Sequence, residues 1–358
     1  MINSKKNIQK ISRPKPDTSE RSSHYRFDRN ERTTLFSDKV FEEILSNLSS
    51  YDLVAYGELE PFYIKICNWL NVNRPNILLT SGSDAGIKAV FETFISENDE
   101  VLISLPNYAM FSVYSSMFGA NEINDYYSEK DLKLNVDKFI QKITMKTKLV
   151  VISNPGHSGT IIKQSEIFKI VETASANNSL IIVDEAYYHY YNESMIDYIN
   201  KYENLILTRT FSKAFGLASI RIGLLIGSKK IIDELYKVKL VHEITGLASK
   251  IGEYMLDNLE IINKHVKDVN KGKSILYNRL NKIGFEVFKS ESNFVFFRTP
   301  PLIKSKDVVK FLLEKNIFIK GPFNNKPFND HLRLTAGDEE QMNYFCDLLT
   351  DFVTQINK

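Results

Sequence analysis

A chain of 358 residues, 43% hydrophobic and 25% charged, has the composition of an ordinary globular protein and is long enough for two or three domains. The net charge of +2, with Lys and Arg dispersed among Asp and Glu, argues against nucleic acid or an acidic membrane surface as a partner. Cys67 and Cys346 are the two cysteines; they lie in no metal-ligand spacing and make no disulfide framework, which fits a reducing cytoplasm. The six histidines show no ligand spacing either, so no metal is expected. No apolar stretch follows the early lysines, so no signal peptide is expected, and no apolar run approaches the roughly 20 residues of a membrane helix.

In chain order, residues 1–24 are polar, carry Pro14 and Pro16, and read as a mobile arm. Residues 25–50 are assigned to the N-terminal part of a small domain. From about residue 76, short apolar runs alternate with helical stretches. Residues 77–80 read as a strand, followed by Ser81-Gly82-Ser83-Asp84 and an amphipathic helix to about Ile95. Strands are then expected at 101–104, 149–153, 180–183, 205–208 and 222–226. These runs are apolar throughout, without two-residue alternation, as in strands buried on both faces of a mostly parallel sheet. The expected fold class is therefore α/β, with helices flanking that sheet. Past residue 230 the texture changes to long helical patterns and strands at 285–288, 294–297, 317–319 and 332–334. A large domain over 51–245 and a small α+β domain over 246–358 follow.

Ligands of open parallel sheets sit beyond the carboxyl ends of the strands. Asp184, Lys213 and the loop 154–159 each follow an expected strand, so the fold class alone brings them to one edge. A carboxylate, a lysine and small-residue loops meeting there suggest an anionic cofactor.

Three segments in order carry a resemblance: Asp184-Glu185-Ala186-Tyr187, then 209–218 with Ser212-Lys213-Ala214-Phe215 at its centre, then Arg221-Ile222-Gly223. Together they resemble the fold-type-I (class I and II) aminotransferases, most closely the histidinol-phosphate aminotransferase branch, from about Phe27 to the C-terminus. The resemblance implies pyridoxal 5′-phosphate (PLP) as cofactor, bound to Lys213 as a Schiff base, with Lys213 then shuttling a proton. Asp184 would keep the pyridinium nitrogen protonated. Taken singly, Lys213 would be a surface lysine and Asp184 a helix cap; the joint pattern carries the reading. Ser83 and Asp84 at a helix start, Ser212 and Arg221 would hold the phosphate. Tyr108 would stack on the cofactor ring and Tyr187 would donate to its 3′ oxygen. Tyr56 would reach the cofactor of the neighbouring subunit of a homodimer; the plainer alternative is a packed core tyrosine.

The pattern breaks in two places. The family loop Asn-Pro-x-Asn-Pro-Thr-Gly is here Ser153-Asn154-Pro155-Gly156-His157-Ser158-Gly159. Counted back from Gly159, Gly156 stands where an asparagine usually donates to the 3′ oxygen. His157 or Asn154 can fill the gap; His157 can instead touch the substrate carboxylate, or be an ordinary loop histidine. At the substrate end, Arg333 matches the family's anion-binding arginine, Lys320 replaces a second arginine, Asn30 matches a residue at the substrate entrance, and Arg32 offers an extra cation.

The first reading is an aminotransferase moving an amino group between an amino acid and a small anionic oxo compound, phosphorylated or not. The alternative keeps fold and cofactor but decarboxylates a phosphorylated amino acid such as serine or threonine phosphate. A non-catalytic binding protein of this fold is opposed by the intact Lys213 and Asp184.

Overall fold

The computed structural model describes residues 2–13 and 21–356, so Pro14 and Pro16 of the expected arm lie outside the described residues. Within residues 2–13, the helical turn Lys6–Gln9 lies against the helix Met110–Phe118.

The chain forms twelve strands among the described residues: β1 Tyr25–Arg26, β2 Ile77–Ser81, β3 Glu100–Leu105, β4 Asn121–Tyr126, β5 Thr147–Ser153, β6 Leu180–Asp184, β7 Leu205–Thr210, β8 Ile222–Gly227, β9 Glu286–Val287, β10 Phe294–Arg298, β11 Ile317–Phe318 and β12 Leu332–Thr335. Seven of them build the large sheet in the order β2-β8-β7-β6-β5-β3-β4. The α/β fold expected from the sequence is thus observed. Every pairing in this sheet is parallel except the two made by β8, which runs against both β2 and β7. Strands β7 and β8 are buried along their whole length because helices cover both faces, which explains their continuous apolar runs.

Strand β4 was not expected from the sequence. It closes one edge of the sheet and reads Asn-Glu-Ile-Asn-Asp-Tyr, partly exposed throughout, so no apolar run marks it. The sequence also shows no sign of β1, two residues that pair parallel with β11.

The second sheet is antiparallel, in the order β12-β10-β9, and its core is aromatic: Phe285, Phe294, Phe296, Phe297 and Phe345 are fully buried. The segment after β1 is tied to it, since the Phe27 carbonyl accepts from the Thr335 N–H at 2.8 Å. Helix Gly246–Asp257, beyond the expected boundary at 245, packs against helix Glu60–Leu70, and a side chain at Gly252 would collide with Phe62. Among the described residues no helix is long and apolar enough to cross a membrane.

Behind the carboxyl edge of β6 and β7 lies a buried ion pair. Arg209 donates to Glu185 Oε2 through Nε at 2.9 Å and Nη2 at 2.8 Å, and its guanidinium covers the Tyr188 ring at 3.8 Å. Glu185 also accepts from Ser194 and from the Met195 N–H. Removing one partner strands a buried charge. Arg209→Met is expected to lower stability by about 3–5 kcal/mol, read by denaturant unfolding; an unchanged unfolding midpoint would contradict this role of the pair.

Candidate active site

A cavity of about 420 Å³ opens where the carboxyl ends of the large sheet meet the second sheet. Three loops reach it directly: β2 ends at Ser81 and leads to Ser83 and Asp84, β3 leads to Pro106-Asn107-Tyr108, and β6 ends at Asp184. Lys213 follows β7. Arg221 precedes β8, and because β8 is reversed its start lies at the same edge.

Asp184 is buried. Its Oδ1 accepts from Thr208 Oγ1 at 2.8 Å and from the Ala186 N–H at 3.0 Å, which leaves Oδ2 to the cavity. Burial pushes its carboxyl up to about 6, against the pull of those two hydrogen bonds and of Lys213. Lys213 also lies in the cavity wall, with Nζ 3.4 Å from the Arg29 carbonyl. Burial brings its amine down to about 8; Arg333 pushes the same way and Asp184 opposes.

Tyr187 is held neutral by burial, which raises it to about 12. Its oxygen accepts from Asn30 Nδ2 at 2.9 Å, so its own proton is free for the cavity. Asn30 Oδ1 accepts from Thr335 at 3.2 Å. Asn30, expected at the substrate entrance, does line the wall, but its amide is engaged in holding Tyr187.

At the other end, helix Gly82–Phe94 starts without a side-chain cap, unlike the helices that begin after Ser37, Asn135, Ser228 and Thr245. The Gly82 N–H donates to the Arg221 carbonyl at 3.0 Å, and no side-chain cap takes the N–H groups of the residues after it. Gly82 has φ +73°, and a Cβ there would fall 2.3 Å from Arg221 Nη2. A Cβ on Gly223 would fall 2.2 Å from the Ser83 nitrogen. The two glycines let β8 press the guanidinium against the helix start, where Arg221 Nη1 donates to Ser212 Oγ at 3.2 Å. The Asp84 carboxylate accepts from Tyr114 at 2.9 Å.

Tyr108 and His157 line a shared part of the wall, their rings 25° from parallel with centroids 6.0 Å apart. His157 meets the Tyr187 ring edge-on at 5.8 Å. Burial, with Arg333 and Lys213 nearby, holds its imidazole down to about 3, so it is neutral. Asn154, the other residue considered for the missing donor, is buried elsewhere: Oδ1 accepts from the Ile162 N–H at 2.9 Å, and the residue does not line the cavity.

Three expected site residues stand apart. Lys320 is exposed and meets Arg333 only through paired backbone groups, so the expected second substrate cation is not in the wall. Arg32 is also outside it. Its Nε donates to the Thr34 carbonyl, its guanidinium lies 4.4 Å from the Phe36 ring, and its stem packs on Gly216 of the lysine loop. Tyr56 is 74% exposed and stacks on His242 at 3.7 Å, away from its own chain's cavity. The cavity also has members that the sequence reading missed. Arg29 and Asn107 carry no motif signal, and Phe296, Phe323 and Phe328 read simply as core. The Phe296 and Phe328 rings stack at 3.9 Å and form an apolar face beside Arg333.

The family model for aminotransferase class I and II matches residues 32–349. The chain belongs to the class I and II aminotransferases. Similar relatives include the histidinol-phosphate aminotransferase of Caldanaerobacter subterraneus, 31% identical over 92% of this chain and 93% of its own length. That of Sulfurisphaera tokodaii is 32% identical over 89% and 88%. Among solved structures, a histidinol-phosphate aminotransferase from Sinorhizobium meliloti in complex with pyridoxal 5′-phosphate superposes with a TM-score of 0.87, at 19% identity over 98% of this chain and 97% of that one. L-threonine-O-3-phosphate decarboxylase from Porphyromonas gingivalis superposes at 0.77, at 18% identity over 92% and 99%. The fold is thus fold type I, and this aminotransferase uses pyridoxal 5′-phosphate.

The cavity fits that group. An uncapped helix start, a serine hydroxyl and a guanidinium converge at the end where a side chain on Gly82 would intrude, which suits a phosphate. The free Asp184 Oδ2 suits a ring N–H, and Lys213 is the lysine of the wall.

The lysine can be tested in the cofactor-free aminotransferase. Its amine is expected to titrate near 8, charged below and neutral above, in competitive labelling across pH. Asp184→Asn removes the nearby anion and should lower that value further. A titration near the ordinary lysine value of about 10.4 would contradict the burial argument.

Proposed function

We propose that this enzyme transfers an amino group between an amino donor and a small oxo compound bearing one anionic group, of the histidinol-phosphate type. The observation that carries the reading is Arg333 in the same wall as Lys213. Its Nη2 donates to the Asp28 carbonyl at 2.9 Å and its guanidinium lies 5.4 Å from the Phe294 ring, leaving Nη1 for an anion. Next to it, the phenylalanine face suits a flat or apolar group.

Bound at Lys213, pyridoxal 5′-phosphate supplies a conjugated pyridinium that withdraws electrons from the amine-bearing carbon. The protein does the rest. Asp184 Oδ2 holds the ring proton and so keeps the pull strong. Lys213 Nζ, once displaced by the substrate amine, takes the proton from the substrate carbon and returns it on the other side of the transfer. Burial, which lowers its basicity in the cofactor-free cavity, favours the neutral amine that such a role requires. Tyr187 offers its O–H to the ring oxygen, and Asn30 keeps it aimed. Ser83, Ser212 and Arg221 anchor the phosphate; Tyr108 limits tilting of the ring.

We also propose a homodimer in the cytoplasm. Leu53, Val54, Tyr56, Leu240 and Val241 are each at least 70% exposed, and such apolar groups favour burial against a partner. Free Cys67 and Cys346 fit a reducing compartment. Decarboxylation of a phosphorylated amino acid is less well supported. Its substrate brings two anionic groups, whereas Lys320 and Arg32 are outside the wall and Arg29 is half exposed beside Asp28.

Histidinol phosphate with a 2-oxo acid acceptor should exchange its amino group, seen as a reversible change in the cofactor's absorbance. Release of carbon dioxide from phosphoserine or phosphothreonine without an acceptor would overturn the reading. Lys213→Ala should fold and lose turnover, and Asp184→Asn should slow the chemical step roughly a hundred- to a thousandfold while retaining the cofactor. An effect of Asp184→Asn below about tenfold would remove the electrostatic role assigned to it. Arg333→Lys keeps the charge but loses the planar fork, so KM for the anionic substrate should rise more than kcat falls.

A further inference from the structure

The loop 153–159 has Gly156 at the position of the asparagine that this family uses beside the cofactor's 3′ oxygen, and the next residue, His157, lines the cavity. This inference rests on the aminotransferase reading above. His157 Nδ1 is sealed from solvent and has no hydrogen-bond partner among the described residues. A proton on Nδ1 would make a buried N–H without an acceptor, the rarer and costlier kind of orphan; a bare lone pair is better tolerated. The proton therefore belongs on Nε2. That nitrogen is not sealed, has no partner among the described residues, and belongs to a ring lining the cavity. Lys213 and Arg333 are the charged groups acting on the ring, and Tyr108 and Tyr187 are its aromatic neighbours. Two positive charges and burial keep the imidazole neutral, so it has one N–H to give and its tautomer is set by the sealed side.

We propose that His157 is a positioning residue that donates Nε2–H to the cofactor's 3′ oxygen, from the same wall as the Tyr187 hydroxyl and in place of the lost asparagine. Asn154 is unavailable because it does not line the cavity, its amide oxygen accepting from the Ile162 N–H. Asn107 is also unavailable: its oxygen accepts from Ser153 at 2.6 Å and from the Tyr108 N–H at 2.8 Å, and its Nδ2 is sealed from the cavity.

A donor on that oxygen draws charge from it and weakens its hold on the imine proton beside it, so losing the donor raises the imine's pKa. The readout is the pH midpoint of the absorbance of the enzyme loaded with pyridoxal 5′-phosphate, measured without substrate. His157→Phe keeps a buried ring and loses the donor; its midpoint should rise by about one unit, the size expected for one hydrogen bond to a charged group. His157→Ala should move the same way. Glutamine carries its amide nitrogen as many bonds from the backbone as Nε2, so His157→Gln should hold the wild-type midpoint. An unmoved midpoint in both His157→Phe and His157→Ala overturns the proposal, and so does a glutamine variant that shifts with them. The underlying reading has its own control: the wild type takes up the cofactor's colour at Lys213 and Lys213→Ala does not. If the wild type takes up none, both fall; if it does and His157→Phe is silent, only the proposal for His157 falls.

Discussion

Strand β8 leaves Arg221 and runs back between β7 and β2, against both. That reversal puts the start of β8 at the edge where the parallel strands end, so the one connection from β7 to β8 brings both Lys213 and Arg221 to the cavity. It also sets Gly223 against the Gly82–Ser83 peptide, so closely that no side chain fits at either glycine without displacing backbone or guanidinium. The helix start, the Ser212 hydroxyl and the arginine are thereby brought together at one end of the cavity. A parallel β8 would deliver the arginine to the opposite edge.

The cavity wall concentrates groups that water would otherwise solvate. Asp184 and Lys213 are each shifted toward neutrality by burial and each partly restored by the other. Two carboxylates adjacent in sequence are thereby given different work. Asp184 keeps one oxygen open to the cavity, while Glu185 is saturated by Arg209, Ser194 and the Met195 N–H. The second carboxylate stiffens the strand ends that the first depends on. Tyr187 is treated similarly: Asn30 occupies its acceptor side and leaves the proton one direction in which to go.

At the substrate end the positive charge is sparse. Arg333 is part of the wall, Arg32 braces the lysine loop against Phe36 and Gly216, and Lys320 is exposed. Phe296, Phe323 and Phe328 supply an apolar part of the wall there. In the proposed reading, Arg333 beside an apolar face would select by an anion and by shape, with Arg29 held half exposed next to Asp28.

The sequence by itself determined the α/β class, six strands of the large sheet and the gathering of Asp184, Ser212, Lys213 and Arg221 at one sheet edge. Continuous apolar runs mark strands covered on both faces, and Asp184, Ser212, Lys213 and Arg221 sit at strand ends that the topology must gather. The polar edge strand β4 escaped because an exposed edge needs no apolar run. Only the tertiary structure decided the substrate end. Whether Lys320, Arg32 or Arg333 enters the cavity depends on strand pairing between segments some three hundred residues apart, as in the contacts from Asp28 and Asn30 to Arg333 and Thr335. Phe296 and Phe328 look like core in one dimension because an apolar cavity wall and a packed core draw on the same residues. That His157 lines the cavity and Asn154 does not was likewise tertiary: the loop's fold buries Asn154 with its Oδ1 on the Ile162 N–H.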